Sequence, residues 1–116
     1  MPIPSEIEDL IGQVNQQLDR IEQEALEGMI LARSSLERFP NNAMLTQLFA
    51  YLNTSMFFVN ICRRRIQTIV ENLSAAKTIT NEEIQQTGED LATELGRALE
   101  TKIRVSAIKT RLENLQ

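Results

Sequence analysis

The sequence has no histidine and no tryptophan, and it has one cysteine and three prolines in 116 residues. Without histidine it lacks the imidazole needed for a Ser-His or Cys-His nucleophile pair and for almost every catalytic zinc site. Ferritin-like di-metal sites are excluded as well, because they require Glu-x-x-His on two helices. One cysteine cannot close a disulfide within the chain, so no oxidising compartment is indicated. We therefore expect a protein that is not an enzyme and that holds no metal and no cofactor.

Targeting and membrane signals are also missing. The segment Met1 to Glu6 is acidic and no apolar stretch follows it, which argues against a secretory signal or a transit peptide. Residues 43–62 carry no charge, but six of the twenty are Asn, Gln, Ser or Thr, too many for a single membrane span. We expect a cytoplasmic and bacterial protein. Its apolar content of 42% is enough for a hydrophobic core and supports one folded domain over residues 1–116.

Three long helices are predicted, over residues of about 5–39, 42–74 and 81–115. Ser5 and Glu8 have the spacing of a capping box, and Pro40 ends the first helix. Asn41 or Asn42 can cap the second helix. The segment Thr80 to Glu83 is another capping box, which begins the third helix.

Apolar residues recur in the first two helices with alternating spacings of three and four, the pattern of a coiled-coil seam. The first seam is Ile7, Ile11, Val14, Leu18, Ile21, Ala25, Gly28 and Ala32. The second is Leu45, Leu48, Leu52, Ser55, Val59, Cys62, Ile66, Ile69 and Leu73. The third helix has a less regular apolar pattern, through Ile84, Leu91, Leu95, Ala98, Val105, Ile108 and Leu112. The sequence predicts an all-α, elongated, antiparallel up-down-up bundle of three helices, and the alternative is a four-helix bundle with the first helix broken near Gly28.

The second helix has apolar residues outside its seam. Ala43, Ala50, Thr54, Phe57 and Ile61 are spaced 7, 4, 3 and 4 apart, which is a second heptad pattern on another face. One interpretation is a wide core face with Phe57 and Ile61 partly exposed. The other is a surface that packs on a second subunit or on a partner helix. We predict the second, with Ala50, Thr54, Phe57 and Ile61 as contact residues.

Three consecutive arginines end the uncharged part of this helix. Side chains of consecutive residues point about 100° apart, so Arg63, Arg64 and Arg65 cannot form one patch. Arg64 and Arg65 are predicted to face outward as a charged rim that selects an acidic partner. Arg63 falls within the core-facing arc and needs a carboxylate partner. Counting residues from the helix ends gives the position of Arg63 along the bundle axis. The carboxylates expected near that position are those of Asp19, Glu89, Asp90 and Glu94.

The sequence thus favours a non-enzymatic module for protein–protein interaction or self-association, with itself or a helical protein as partner. One alternative is a nucleic-acid-associated regulator that uses Arg63 to Arg65. Another is a small-ligand sensor with a cleft beside Gly12 and Gly88, which an up-down-up bundle would bring to similar height. Cys62 is expected to be a buried small hydrophobe, although the adjacent arginines leave a reactive thiolate open.

Overall fold

The computed structural model describes residues 3–116 as three helices, α1 (Ser5–Arg38), α2 (Ala43–Ala75) and α3 (Asn81–Glu113). α1 and α2 are antiparallel. Arg63 in the second half of α2 contacts Asp19 in the first half of α1, whereas Phe49 near the start of α2 lies beside Arg33 near the end of α1. The bundle measures 59 × 19 × 17 Å. The predicted all-α antiparallel bundle is confirmed, with every helix end within two residues of its expected position.

The four-helix alternative is wrong, because α1 continues unbroken through Gly28. This glycine is buried, and a Cβ atom built on it would lie 2.9 Å from Leu52 Cδ1. Its lack of a side chain therefore lets α2 approach α1 closely, and the helical backbone tolerates it without a break.

Two of the three predicted helix starts have the expected capping. Asn42 accepts a hydrogen bond from the Leu45 backbone N–H, and Thr80 and Glu83 form a complete capping box. The capping box at Ser5 is wrong: Ser5 is the first helical residue, and Pro4 at the N-cap makes no side-chain bond. The Pro4 carbonyl instead accepts from the backbone N–H groups of Ile7 and Glu8, as the carbonyl of an N-cap residue does.

The predicted seams of α1 and α2 form the core, with every member buried except the half-buried Ile11, Leu48 and Ile69. The spacing of the core-facing residues of α3 is regular when polar residues are counted as well as apolar ones. This seam runs 84, 87, 91, 94, 98, 101, 105, 108 and 112 in strict alternation of three and four, with Thr87, Glu94 and Thr101 among the apolar members. Glu94 is 7% exposed, so α3 places a carboxylate in the core layer.

The three helices do not pack equally. α1 packs along both other helices, whereas α2 and α3 contact each other least. The α2–α3 side of the bundle is therefore its most open side. Among the described residues, 3–116, no helix is long and apolar enough to cross a membrane.

Candidate protein-binding surface

The outer side of α2 carries the residues that the second heptad pattern singled out. We call Ala50, Thr54, Phe57, Ile61 and Arg64 the α2 surface, and all five are exposed. Phe57 is 62% exposed and Ile61 is 48% exposed, and they lie one helical turn apart. Neither side chain belongs to the core that the three helices share. The α2 surface, a stripe of mostly apolar side chains, therefore takes no part in packing the three helices together. Ala43, at the start of the same heptad pattern, is exposed as well.

The charge on this side of the bundle has one sign over a long stretch. No aspartate or glutamate occurs from residue 43 to residue 70. Within the described part of the chain, Arg64 has no carboxylate within ion-pair distance. The α2 surface is therefore an apolar stripe with an uncompensated cation at one end.

Arg63 points the other way, towards α1. Its guanidinium lies 2.8 Å from Asp19 and 2.5 Å from Glu22, and the side chain is 35% exposed. The hydrogen bonds that the guanidinium donates to both carboxylates raise the pKa of Arg63, the one to Glu22 contributing most. The predicted pair with Asp19 is confirmed, and Glu22 is an additional partner that the sequence argument did not name.

Arg65 is exposed, as expected, and its guanidinium also turns towards α3. Its guanidinium lies 3.0 Å from Glu94 Oε1, and Arg97 approaches the same oxygen at 3.6 Å. The other oxygen of Glu94 accepts a hydrogen bond from the Cys62 thiol at 3.0 Å. Glu94 is therefore the centre of a cluster that joins α2 to α3, and Arg65 keeps its side chain 51% exposed beside it.

Cys62 is fully buried. Burial and the hydrogen bond to Glu94 raise the pKa of its thiol from 9.0 to about 12, because both disfavour the thiolate. The neighbouring arginines lower this pKa only weakly by comparison. The expectation of a buried, unreactive cysteine is supported, and a reactive thiolate is not.

A groove of about 630 Å³ runs between α2 and α3 beside this cluster. Its wall includes Ile61 of the α2 surface, so the stripe and the groove are continuous. The rest of its lining is Arg64, Arg65, Thr68, Ile69, Asp90, Thr93, Glu94 and Arg97.

The predicted cleft beside Gly12 and Gly88 is not this groove, because neither glycine lines it. Gly12 is exposed with nothing within 4 Å of a built Cβ. The nearest atom to a Cβ on Gly88 is Ile7 Cδ1, at 3.9 Å. The two glycines therefore do not mark a close approach of α1 and α3.

Three arginines on α3 form a row that the sequence analysis did not recognise as one. Arg97, Arg104 and Arg111 are spaced seven residues apart and all are exposed. Arg97 lines the groove, and an Arg111 guanidinium nitrogen lies 2.9 Å from Met44 Sδ on α2. Arg104 lies between them on the α2-facing flank, since a heptad returns to nearly the same side of a helix. The heptad spacing was the signal that could have revealed this row.

Comparisons with known proteins add nothing to this geometry: no protein-family model matches the chain, and no curated protein and no solved structure matches it either. Within residues 3–116, no three Cys, Asp or Glu side chains are grouped so that they could hold a metal ion. The features that could bind another molecule are exposed apolar and cationic side chains on the helix surfaces.

Proposed function

We propose that this protein is a non-enzymatic interaction module, cytoplasmic and bacterial, that binds a helix through the α2 surface. The helix belongs either to a second copy of the chain or to another protein. The observation that carries the proposal is the exposure of Phe57 and Ile61, 62% and 48%, at adjacent turns outside the core. Helices bind amphipathic partners through such anchors one turn apart.

The energetics favour a covered state for these side chains. Burying an aromatic or a large aliphatic side chain stabilises a complex by about 1.5–3 kcal/mol relative to leaving it exposed. Ala50 and Thr54 continue the stripe with small side chains, which allow a partner backbone to approach. Arg64 borders the stripe without an ion-pair partner among residues 3–116, so it is available to select a partner by charge.

The nucleic-acid alternative has less support. The arginine triplet is divided, since Arg63 pairs with α1 and Arg65 with α3. The net charge of the chain is −4, whereas domains that bind nucleic acid are usually basic.

Molar mass by light scattering over a concentration series tests the proposal. If the partner is a second copy, the mass rises above 13.2 kDa with concentration, and Phe57→Asp or Ile61→Asp returns it to the monomer value. Ile30→Asp is the matched control, because Ile30 is an apolar residue on α1 that is 66% exposed. A wild type that stays monomeric would exclude a second copy as the partner and leave a helix of another protein as the proposal.

Circular dichroism of the same variants supplies the contrary outcome. We expect helicity and melting temperature to stay nearly unchanged in Phe57→Asp, because this side chain lies off the core. Leu52→Ala, by contrast, should cost about 2–4 kcal/mol, since Leu52 is fully buried. A Phe57→Asp chain that fails to fold would place the stripe in the intrachain core and end the proposal.

A further inference from the structure

Five of the chain's nine arginines lie on one side of the bundle. Arg64, Arg65 and Arg97 line the α2–α3 groove, and Arg104 and Arg111 continue the row along α3. Asp90 and Glu94 are the carboxylates that line the same groove, and Glu94 is already shared by Arg65, Arg97 and Cys62. This side of the bundle is cationic, although the whole chain carries a net charge of −4.

Three of these arginines have no partner of opposite charge among residues 3–116. Arg64, Arg104 and Arg111 are exposed, and no carboxylate within the described residues lies within ion-pair distance of any of them. A guanidinium presents five donors in a planar fork that matches a carboxylate. The free cations therefore indicate what kind of charge an occupant of this side would carry.

The spacing of the α3 row indicates what kind of molecule the occupant would be. Seven residues of α-helix rise by about 10.5 Å, so Arg97 to Arg111 span about 21 Å. A second helix lying along the row presents its own side chains at the same heptad interval, and charges at the flanking positions of paired helices set partner choice. A helix with carboxylates every seven residues would meet all three arginines.

The open side of the bundle also has room and apolar surface for such a helix. α2 and α3 contact each other least of the three helix pairs, and the groove between them has a volume of about 630 Å³. Ile61 and Ile69 supply apolar surface in the groove, while Thr68 and Thr93 are small residues at its edges. Both threonine hydroxyls donate to backbone carbonyls of their own helices, those of Arg64 and Glu89, and so need no partner from outside.

We propose that the α2–α3 groove is the docking site of an acidic amphipathic helix from another protein, which completes a four-helix bundle. The apolar side of that helix packs on Ile61 and Phe57, and its glutamates or aspartates, seven residues apart, pair with Arg97, Arg104 and Arg111. Arg64 pairs with a carboxylate on the opposite edge of the partner helix. The inference rests on the proposed function and adds to it the site, the partner's charge and its register.

Two synthetic peptides test it. Each is a fluorescent, end-blocked helix of about four heptads with Leu and Ala at its two seam positions. One carries Glu at both flanking positions, and its twin carries Lys. Fluorescence anisotropy at low and at physiological salt measures their binding to wild type and to three variants.

The decisive variant is Arg64→Glu with Arg104→Glu, which reverses two exposed arginines that hold no ion pair among residues 3–116. Arg20→Glu with Lys77→Glu is the matched control, with the same change in net charge at two exposed positions elsewhere. We expect wild type and control to bind the Glu peptide at least tenfold more tightly than the Lys peptide. The decisive variant should prefer the Lys peptide, and Phe57→Asp should weaken binding of both.

The contrary outcomes separate the two proposals. If Phe57→Asp weakens binding but Arg64→Glu with Arg104→Glu leaves the Glu preference intact, the α2 surface binds helices and the acidic partner is wrong. If peptides bind but neither variant changes binding, both proposals fail. If no peptide binds at about 1 mM, the acidic partner is wrong, and the light-scattering series decides whether the α2 surface binds a second copy. A labelled DNA strand or duplex that binds wild type and not the decisive variant would assign the arginines to nucleic acid. A chain that dimerises alone, and that the decisive variant returns to monomer, would make the occupant a second copy.

Discussion

Arg63 of α2 bonds Asp19 of α1 across 2.8 Å in a bundle whose apolar seams repeat every seven residues. Repeated seams leave their apolar contacts nearly intact when one helix slides along another by a heptad. The ion pair does not tolerate such a slide, because a heptad moves Arg63 about 10.5 Å away from its carboxylates. We infer that this pair, with Glu22 as second partner, fixes the register of α1 against α2.

Arg63→Met should therefore cost about 1 kcal/mol of unfolding free energy. The side chain is 35% exposed, so water screens the charges and keeps the value well below that of a buried pair. Urea denaturation of Arg63→Met, Glu22→Gln and the double variant measures the coupling between the two residues, which we expect at about 0.5–1 kcal/mol. Additive effects of the two single changes would show that the contact stabilises nothing.

Gly12 and Gly28 provide a matched test of close helix packing. Gly12 is open to solvent, so Gly12→Ala should stabilise the protein by about 0.5–1 kcal/mol through helix propensity alone. A Cβ on Gly28 would lie 2.9 Å from the side chain of Leu52, which is fully buried. Gly28→Ala should therefore lose that gain and fall about 1 kcal/mol below Gly12→Ala in thermal or urea unfolding. Equal stabilisation by both changes would mean that α2 does not lie this close to α1.

The helices and seams could be predicted because heptad periodicity is a local property of the sequence. Even Arg63 could be paired with Asp19, since a charge within an apolar arc needs a partner and helix lengths set its height. The Ser5 capping box failed because proline at position 4 supplies the N-cap instead. Local spacing identified the residue types but not which residue would begin the helix.

A search for apolar residues alone overlooks Glu94 and the α3 arginines, although their spacing in the sequence is regular. An apolar template skips position 94, although that position belongs to the seam by spacing, and so α3 looked irregular. The ion pair of Arg65 with Glu94 was not predicted, because a long, exposed side chain can also turn back to a carboxylate on the next helix. Where the bundle is open depends on how closely each pair of helices packs, which is a tertiary property that the pattern of one helix does not contain.

Cys62 should resist thiol reagents in the folded protein. Its pKa of about 12 leaves almost no thiolate at pH 8, and the sulfur is fully buried. Reaction with a disulfide reagent should therefore follow global unfolding, being slow in buffer and fast in strong urea. Rapid labelling of the folded chain would contradict this placement of the thiol.

The same raised pKa gives stability a direction with pH. Between pH 9 and about 12 the unfolded thiol loses its proton while the folded thiol keeps it. The folded state then binds more protons, so its stability falls as pH rises through that range. Cys62→Ala removes this contribution, and its unfolding free energy should decline less steeply over the range than that of wild type. Parallel pH profiles for the two proteins would contradict the raised thiol pKa.

Glu94→Leu should be nearly neutral or stabilising, although it removes the carboxylate that joins α2 to α3. Glu94 is only 7% exposed, and a buried charge loses hydration that its ion pairs must offset. Its partners Arg65 and Arg97 are 51% and 56% exposed, so both can return to water when the carboxylate is gone. Leucine fills a seam position with apolar volume, and the Cys62 thiol, as a weak donor, loses little.

Glu94→Ala is the comparison that isolates packing from charge. It removes the same carboxylate but leaves a cavity at the seam, and it should destabilise by about 1–3 kcal/mol relative to Glu94→Leu. Urea denaturation of both variants measures the difference. If both lose more than about 3 kcal/mol relative to wild type, the Glu94 cluster holds α2 and α3 together by its charge. If only the alanine variant is destabilised, apolar packing holds the helices and the carboxylate's contribution is to orient Arg65 and Arg97 at the groove.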